Sequence, residues 1–365
     1  MTASTPDSAP TPSPEPLPAA SPAPAPTPAA APAAAPAAPG VPPSGSVAIP
    51  SLTDETLARL NAYGRKGILA ATNKPLVAGN VRKYGMRFGA SRFVPGTTLD
   101  ECIVALKDLN AKGLRVNTTI LGEAVGSAEQ AAGVVSEYRT VIDRLADERI
   151  DGNVALKLTH LGLKVDEELA YTNVASLVAY AGERGIFIRM DMEDSPTVDA
   201  TLRIYTRLRD AGHDNTGTVL QSYLYRMPDD LAALAPYRPN LRLVKGAYLE
   251  PEAVAYPKKT DVDAAYVSLA ETMLRENSFT GIATHDERII DQVIAFTRGA
   301  GIGTDRFEFQ MLYGIRPQLQ LDLVRRGYRV LVATPFGPDW YPFFMRRLAE
   351  RPANVLFFAK NLVRP

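Results

Sequence analysis

Charged and amide side chains interrupt several stretches that are otherwise apolar enough to form buried strands. They are Lys157, Asp191, Gln221, Arg242, Lys245 and His285. Burying a charge without a partner costs free energy, so such a residue is either half of an internal ion pair or part of a binding site. An internal pair explains one such residue well, but it explains the whole set poorly. The pattern predicts a cationic pocket for an anionic ligand or cofactor.

Two adjacent arginines near the end of the chain point to the same kind of ligand. Arg346 and Arg347 lie in DWYPFFMRRLAE, which has helical character, and neighbours on a helix project about 100° apart. Two guanidinium groups placed in this way suit a carboxylate or a phosphate. An arginine pair exposed on a surface helix is the commoner arrangement, so this signal is weak by itself.

Composition and charge exclude several other classes of function. The 40 basic and 40 acidic residues balance, so we expect no nucleic-acid partner. The single cysteine, Cys102, excludes disulfide frameworks and cysteine-rich metal sites. The three histidines, His160, His213 and His285, lack HExxH spacing, so we expect no metal. No apolar run approaches the length of a membrane-spanning helix, which favours an intracellular-type chain.

Eight short β-rich runs, each followed by a helical segment, must position these residues. The runs are LRVNTTIL (114–121), NVALKLTHL (153–161), IFIRMDM (186–192), GTVLQSYL (217–224), LRLVKGAY (241–248), TGIATH (280–285), RFEFQML (306–312) and YRVLVATP (328–335). This alternation predicts parallel strands with crossover helices. The polar residues lie near the carboxyl ends of the runs, where a (β/α)8 barrel gathers its catalytic side chains.

A closed barrel and a doubly wound open sheet both satisfy this alternation. The count of eight favours the barrel. A dinucleotide-binding sheet would normally show GxGxxG after its first strand, whereas GAGIG at 299–303 lacks that spacing and ends a helix. Neither GxxxxGK[ST] nor GxSxG occurs.

Three segments differ in composition. Residues 1–50 alternate alanine and proline, which predicts a disordered, extended tail. Residues 51–112 are expected to be helical, with a capping threonine before LDECIVALKDLNAKG, which ends on Gly113. Residues 113–365 are expected to form the catalytic barrel.

Seven motifs, taken in order, resemble one enzyme family closely. They are KLTHLG, RMDMEDS, LQSYLYR, RPNLRLVKGAYLEP, ATHDERII, FEFQMLYGIR and DWYPFFMRRLAERP. Over about residues 85–360 the chain resembles proline dehydrogenases of the monofunctional bacterial type. The resemblance implies an α/β fold, a distorted (β/α)8 TIM-type barrel, that holds FAD noncovalently. It also implies oxidation of L-proline to Δ1-pyrroline-5-carboxylate by hydride transfer to flavin N5.

The resemblance also implies which residues hold the cofactor. Arg242 would lie near flavin N5 and favour the reduced flavin electrostatically, as one of three catalytic residues with Lys157 and Asp191. The residues implied to contact the flavin, ribityl chain or phosphates are Gln221, Lys245, Gly246 and Ala247. Thr284 and His285 would contact the pyrophosphate or adenosine, which makes His285 a cofactor contact rather than a general base.

Another set of residues is implied for the substrate. Lys157, Arg346 and Arg347 would hold the proline carboxylate and so fix C5 of the ring against the flavin. Tyr248 and Leu312 would wall the ring, and Asp191 and Glu350 would belong to the supporting polar network. Glu123 would pair with Arg346 and gate the site.

Three positions depart from the family pattern. Ala333 and Phe343 stand where the family usually has tyrosines, and Thr119 replaces an aspartate. Loss of the ring at 333 predicts a wider pocket. One alternative is therefore a related flavoenzyme that oxidises 4-hydroxyproline or another cyclic amino acid. Another is an inactive barrel that serves as a binding protein, although its retained buried charges argue against this.

The resemblance finally implies partners and a location. A quinone would accept the electrons, which predicts a cytoplasmic protein with peripheral contact at the inner face of the membrane. No Rossmann-type half follows the barrel in this sequence, so we expect the pyrroline-5-carboxylate dehydrogenase of the pathway to be a separate chain.

Overall fold

Eight parallel strands close into a barrel in which each strand pairs with its neighbours along the chain and β8 pairs with β1. In this computed structural model, residues 85–86, 89–122, 124–276 and 279–350 are described, with side chains as far as Arg347. The strands are β1 (Arg115–Ile120), β2 (Gly152–Leu156), β3 (Ile188–Met190), β4 (Thr216–Gln221), β5 (Asn240–Val244), β6 (Phe279–Ala283), β7 (Phe307–Leu312) and β8 (Val330–Phe336). The predicted (β/α)8 barrel is confirmed.

Nine α-helices are described around and above this barrel. They are α1 (Leu99–Ala111), α2 (Ala128–Asp147), α3 (Glu167–Gly182), α4 (Val198–Asp210), α5 (Met227–Leu234), α6 (Lys259–Glu276), α7 (Glu287–Gly299), α8 (Pro317–Arg325) and α9 (Trp340–Glu350). Short 3-10 helices precede or join them at Ala90–Arg92, Leu158–Leu161, Ser195–Thr197 and Ala235–Tyr237. Within the described part of the chain, no helix is long and apolar enough to cross a bilayer.

Helix α1 precedes the first strand, yet it packs against both β1 and β8. Its amino end carries a capping box. The Thr98 hydroxyl accepts from the Glu101 amide at 3.3 Å, and the Glu101 carboxylate accepts from the Thr98 amide at 3.2 Å. The helix is followed by Gly113 at a φ of +77°, as the sequence predicts. The expected tail at 1–50 lies outside the described residues, and the boundary expected at 112/113 stays a prediction.

Most of the hydrophobic core lies between the strands and the surrounding helices. Ile188 of β3 and Leu243 of β5 belong to this core together with Leu177 of α3 and Leu208 of α4, and all four are fully buried. Such packing of parallel strands against crossover helices supplies the main driving force for this fold.

The inside of the barrel is polar by contrast. Two stacked layers of side chains come from the odd-numbered strands: Arg115, Arg189, Asn240 and Glu308 below, and Asn117, Arg242 and Gln310 above. Glycines on the even strands make room for them. A side chain at Gly217 would meet the Arg189 guanidinium, and one at Gly281 would meet the Gln310 amide. Layers built from alternate strands are usual in this fold, but their members are commonly aliphatic.

Helix α9 is held at the carboxyl end of the barrel by a second, smaller apolar cluster. Trp340 and Phe344 pack there with Phe93 and with Leu121, the residue that follows β1. The rings of Trp340 and Phe344 lie 5.7 Å apart, and those of Phe93 and Phe344 lie 6.1 Å apart. This packing fixes the helix that carries both adjacent arginines.

Candidate active site

A cavity of about 1060 Å³ opens at the carboxyl ends of the strands, beneath α9. Its lining includes the predicted site residues Lys157, Asp191, Gln221, Arg242, Lys245, Gly246, Ala247, Tyr248, Thr284, His285, Leu312, Arg346 and Arg347. The sequence thus identified residues that the fold brings together. Glu123 and the side chain of Glu350 lie outside the described residues, so the predicted gate and that part of the polar network stay predictions.

Arg242 occupies the floor of the cavity and is tied to three other strands. Its Nε donates to Gln310 Oε1 at 2.5 Å, its Nη1 to Asp191 Oδ1 at 3.0 Å, and its Nη2 to Asn117 Oδ1 at 3.1 Å. Asn117 in turn donates to Asn153. A guanidinium whose donors are used in this way is fixed in orientation, which suits it to stabilise negative charge above it.

The residues on the β2, β3 and β4 side of the cavity are held by backbone contacts. The Asp191 amide donates to the Leu156 carbonyl at 2.8 Å, and the Gln221 side-chain nitrogen donates to the Glu193 carbonyl at 2.8 Å. Burial raises the pKa of Glu193, although the Thr159 hydroxyl and amide donate to its carboxylate. Lys157 follows β2, and no described carboxylate lies within salt-bridge distance of it. Its charge is available to a ligand.

The loop after β5 forms the opposite wall. Lys245 Nζ lies 2.5 Å from Asp263 and 3.6 Å from Asp286, the residue that caps α7. Gly246 has a φ of +115°, and a side chain there would collide with the Tyr223 ring, so glycine is required on both grounds. Burial, together with the carboxylates of Glu193 and Asp191, raises the pKa of Tyr248. Tyr248 therefore presents a neutral ring to the cavity.

His285 links the ends of β6 and β7. Its Nε2 accepts a hydrogen bond from the Leu312 amide at 2.9 Å, and its carbonyl accepts from Arg316 Nη1 at 2.9 Å. Since Nε2 is already an acceptor, it is not available as a general base. The neighbouring Thr284 hydroxyl accepts from the Asp286 amide at 3.1 Å. Contacts within the protein therefore hold Thr284 and His285 in place without a bound ligand.

Several cavity residues were missed by the sequence reasoning. Asn117 and Gln310 both bind Arg242, and Arg316 contacts the His285 carbonyl and forms an ion pair with Glu287. The signal for the first two was present, because polar side chains at inward positions of β1 and β7 are unexpected in an apolar strand. Arg316 follows β7 in a left-handed conformation, with a φ of +52°, which no pattern in the sequence announces.

Comparison with known proteins shows to which family the chain belongs. The sequence profile for proline dehydrogenase matches residues 102–360. The chain belongs to the proline dehydrogenase family. It is similar to Proline dehydrogenase 2 of Bacillus subtilis strain 168, with 42% identity over 283 residues that cover 78% of this chain and 93% of the relative. It is also similar to the Proline dehydrogenase of Deinococcus radiodurans, with 43% identity over 304 residues, 82% of this chain and 98% of the relative.

The solved structures of larger proline dehydrogenase relatives show the same fold. Proline utilization A from Bdellovibrio bacteriovorus, inactivated by N-propargylglycine, superposes with a TM-score of 0.70 at 23% identity. The match covers 80% of this chain and 37% of that one. The Bifunctional protein PutA of Escherichia coli is 26% identical over 80% of this chain and 25% of the relative. Membership of the proline dehydrogenase family therefore rests on the smaller relatives, and these larger ones support the barrel.

All three positions at which we expect the chain to depart from the proline dehydrogenase pattern line the cavity. Ala333, on β8, and Phe343, on α9, both face it, and so does Thr119 of β1. The Ala333 carbonyl accepts from the Tyr313 amide at 2.9 Å, so the backbone at this position is ordered by β7. The small side chain of Ala333 thus faces the cavity itself.

Proposed function

We propose that this chain oxidises L-proline to Δ1-pyrroline-5-carboxylate with a noncovalently bound FAD, as the first step of proline catabolism. The observation that carries the proposal is the placement of Lys157, Arg346 and Arg347 in one cavity whose floor is the fixed Arg242. A substrate carboxylate needs cations that are not already neutralised, and no carboxylate of the described residues lies within salt-bridge distance of Lys157.

The cavity residues fit FAD. A volume of about 1060 Å³ slightly exceeds the usual range for ligand sites (about 300–1,000 Å³) and is more than a small amino acid needs. Lys245 and Lys259 line the cavity beside the amino end of α7, where both pair with Asp263 and Asp286, so a bound pyrophosphate would share these lysines with the two carboxylates. Gly246 presents backbone without a side chain, which permits close approach. Gln221, Gly246, Ala247, Thr284 and His285 would complete the cofactor contacts.

When bound, FAD supplies the acceptor for a hydride. The chain does the rest by position and charge. Lys157 and the arginines of α9 would hold the substrate carboxylate, which leaves ring carbon C5 directed toward the floor. Tyr248 and Leu312 would exclude water from the ring, and Arg242 would stabilise the negative charge that builds up beside it. Formation of the C=N bond removes a hydride from C5 and a proton from the ring nitrogen, and the proton passes to solvent.

The electrons must then leave the site. We propose a quinone as acceptor and, with it, a cytoplasmic protein that makes peripheral contact with the inner face of a membrane. The product would pass to a pyrroline-5-carboxylate dehydrogenase. The support for these assignments is the family alone.

A second candidate substrate is 4-hydroxyproline or another cyclic amino acid. Ala333 and Phe343 favour it, because both line the cavity at positions where the family usually has tyrosines. A larger or more polar ring would fit the space that the absent aromatic side chain leaves.

Anaerobic mixing of the purified yellow protein with L-proline tests the proposal. We expect rapid loss of the flavin absorbance near ~450 nm. Lys157→Ala should weaken the response about 10- to 100-fold in kcat/KM, the effect of losing one hydrogen bond to a charged group. The matched control is Lys112→Ala, which removes an exposed lysine paired with Asp108 and should behave like the wild type.

The other outcomes separate the alternatives. A yellow protein that 4-hydroxyproline bleaches and proline does not would establish the second candidate. A yellow protein that no cyclic amino acid bleaches would leave the binding-protein interpretation. A colourless protein that cannot be reconstituted with FAD would contradict both enzyme assignments.

A further inference from the structure

A continuous chain of side-chain hydrogen bonds runs from the amino end of the barrel to the cavity floor. Arg115 Nη1 donates to Glu308 Oε2 at 2.9 Å, and Gln310 Nε2 donates to Glu308 Oε1 at 2.8 Å. Arg242 Nε then donates to Gln310 Oε1 at 2.5 Å. Glu308 is 2% exposed and Gln310 is 4% exposed. Solvent therefore does not compete for these bonds.

The Glu308 carboxylate, which pairs with Arg115, determines which way the Gln310 amide faces. A carboxylate only accepts hydrogen bonds, so Gln310 must direct its NH2 group toward Glu308. Its carbonyl oxygen is then the only group left to face Arg242 Nε. If residue 308 carried a neutral amide, the Gln310 side-chain amide could rotate by about 180°. Its NH2 group would then face Arg242 Nε, and both of these groups are donors. Glu308 thus fixes Arg242 through Gln310.

The same residues set the charge beneath the cavity. Three arginines, Arg115, Arg189 and Arg242, share the barrel interior with two carboxylates, Glu308 and Asp191. Among the described residues Arg189 has no carboxylate partner, and its Nη1 donates to the Asn240 carbonyl at 2.7 Å. Burial and the Arg242 charge lower the pKa of Arg189 to about 9, so it stays protonated at neutral pH. Arg115 also pairs with Asp151, so Arg189 is the arginine of this set that, within the described part of the chain, lacks a carboxylate partner.

We propose that Glu308 and Gln310 are positioning residues that fix Arg242 and set the reduction potential of FAD bound above it. The inference rests on the proposed function, because it requires FAD in the cavity. Charges in a poorly hydrated interior act over longer distances than surface charges do. Asp191 already pairs with Arg242 at 3.0 Å, whereas the Glu308 carboxylate is separated from Arg242 by the Gln310 side chain. A second negative charge adjacent to Arg242 would offset its charge further.

A charge-swap variant tests this directly. The double variant Glu308→Gln, Gln310→Glu keeps the total charge and the side-chain volumes. It also keeps a donor and an acceptor for every hydrogen bond between Arg115 and Arg242. Arg115 donates to the new amide oxygen, the new amide NH2 donates to the new carboxylate, and that carboxylate accepts from Arg242. Only the negative charge moves, toward Arg242. We expect an unchanged melting temperature and FAD content, with two-electron reduction about tenfold less favourable, a fall in potential of about 30 mV.

The measurement is the midpoint potential of the FAD-loaded protein in a spectroelectrochemical cell. The matched control is Glu137→Gln on the exposed face of α2, which should leave the potential unchanged. A swap variant with the wild-type potential, or a higher one, overturns the proposal. If the swap does not fold, Gln310→Glu alone decides. The added negative charge beside Arg242 should lower the potential, and a value at or above that of the wild type overturns the proposal.

This test and that of the proposed function fail separately. The potential is measured with electrochemical mediators and needs no proline. An FAD-loaded wild type that proline does not bleach contradicts the proposed substrate and leaves this inference standing. An unshifted potential in the swap variant contradicts this inference alone. A chain that binds no FAD contradicts both.

Discussion

Ala333 is the single residue with the most direct bearing on substrate choice. It lines the cavity from β8, and its small side chain leaves space beside the predicted position of the substrate ring. A pocket distinguishes ring substituents only through contacts at their edges, and an absent wall removes such a contact. The natural chain is therefore expected to accept trans-4-hydroxyproline, as judged by kcat/KM relative to proline.

Restoring a ring at this position should reverse the preference. We expect Ala333→Tyr to shift the kcat/KM ratio toward proline by about tenfold or more, because the ring refills the space that a hydroxyl substituent would use. The comparison variant is Phe343→Tyr, which adds only a hydroxyl at the other departure and should change the ratio less. If the natural chain already rejects hydroxyproline strongly, the wider-pocket interpretation is wrong.

Two loops at the mouth of the barrel are joined through Glu250. Its carboxylate accepts from the Ser195 amide at 2.7 Å and from the Ser195 hydroxyl at 2.5 Å. Ser195 begins the 3-10 helix after β3, close in sequence to Asp191, whereas Glu250 follows the stretch from Lys245 to Tyr248. The contact therefore ties the loop that carries the predicted flavin contacts to the loop that carries Asp191.

Breaking this contact should weaken catalysis without removing a group from the cavity. We expect Glu250→Ala to lower kcat/KM for proline about 10- to 100-fold, mainly through KM, since it removes two hydrogen bonds to a charged group. Ser195→Ala should have a smaller effect because the Ser195 amide still donates. The double variant should be no worse than Glu250→Ala, which a double-mutant cycle measures.

The control for that cycle lies in the same loop. Glu252 is exposed, and Glu252→Ala removes the same charge without a contact to Ser195. Equal losses in the Glu250 and Glu252 variants would show that the effect is one of net charge. Additive losses from Glu250→Ala and Ser195→Ala would show that the two side chains act independently.

At the scale of elements, regular structure was predictable from the sequence and the loops that follow it were not. All eight strands occur where apolar β-rich runs predict them. The predicted strand 153–161, however, ends at Leu156, and Leu158–Leu161 is a 3-10 helix that closes on Gly162 at a φ of +104°. Its residues are as apolar as a strand, but they are buried by the adjoining helices rather than by pairing. A hydrophobic pattern indicates that residues are buried, but it does not indicate whether a paired strand or a packed helix buries them.

The contacts within the site show the same division. The sequence identified Arg242 and Asp191 separately from the cost of burying them. It did not reveal that the two side chains bind each other. Arg242 lies on β5 and Asp191 follows β3, and the register of the strands in a barrel determines which inward side chains meet. Arg189 was missed altogether, although it is fully buried. Its guanidinium donates to backbone and amide oxygens. Such partners cannot be recognised from the residue types in the sequence.

At the scale of the whole molecule, the two faces of the sheet have different roles. Stability comes chiefly from the apolar layer between the strands and the helices, whereas the barrel interior holds charges in fixed positions. The interior tolerates little change in volume, because arginine and amide side chains fill the space that glycines leave.

Gly217→Ala tests how closely the interior is filled. The added methyl group would meet the Asn240 carbonyl and the Arg189 guanidinium, so we expect a loss of about 1–3 kcal/mol in the free energy of unfolding, measured by urea denaturation. The matched control is Gly133→Ala in α2, where nothing lies within 4 Å of the added atom. That change should stabilise the protein by about 0.5–1 kcal/mol. Equal stability of the two variants would contradict this account of the interior.

The pairing of β1 with β8 constrains how the chain is made. Arg115–Ile120 align with residues 331–336, so the seam joins the first strand to the last. Domains form as their residues leave the ribosome, from the amino end onward, and contacts between distant residues form slowly. One edge of β1, and the face of α1 that packs on β8, must therefore wait until nearly the whole barrel has been synthesised. A nascent chain stalled before residue 330 would expose an unpaired strand edge, which makes it a target for chaperones and an aggregation hazard.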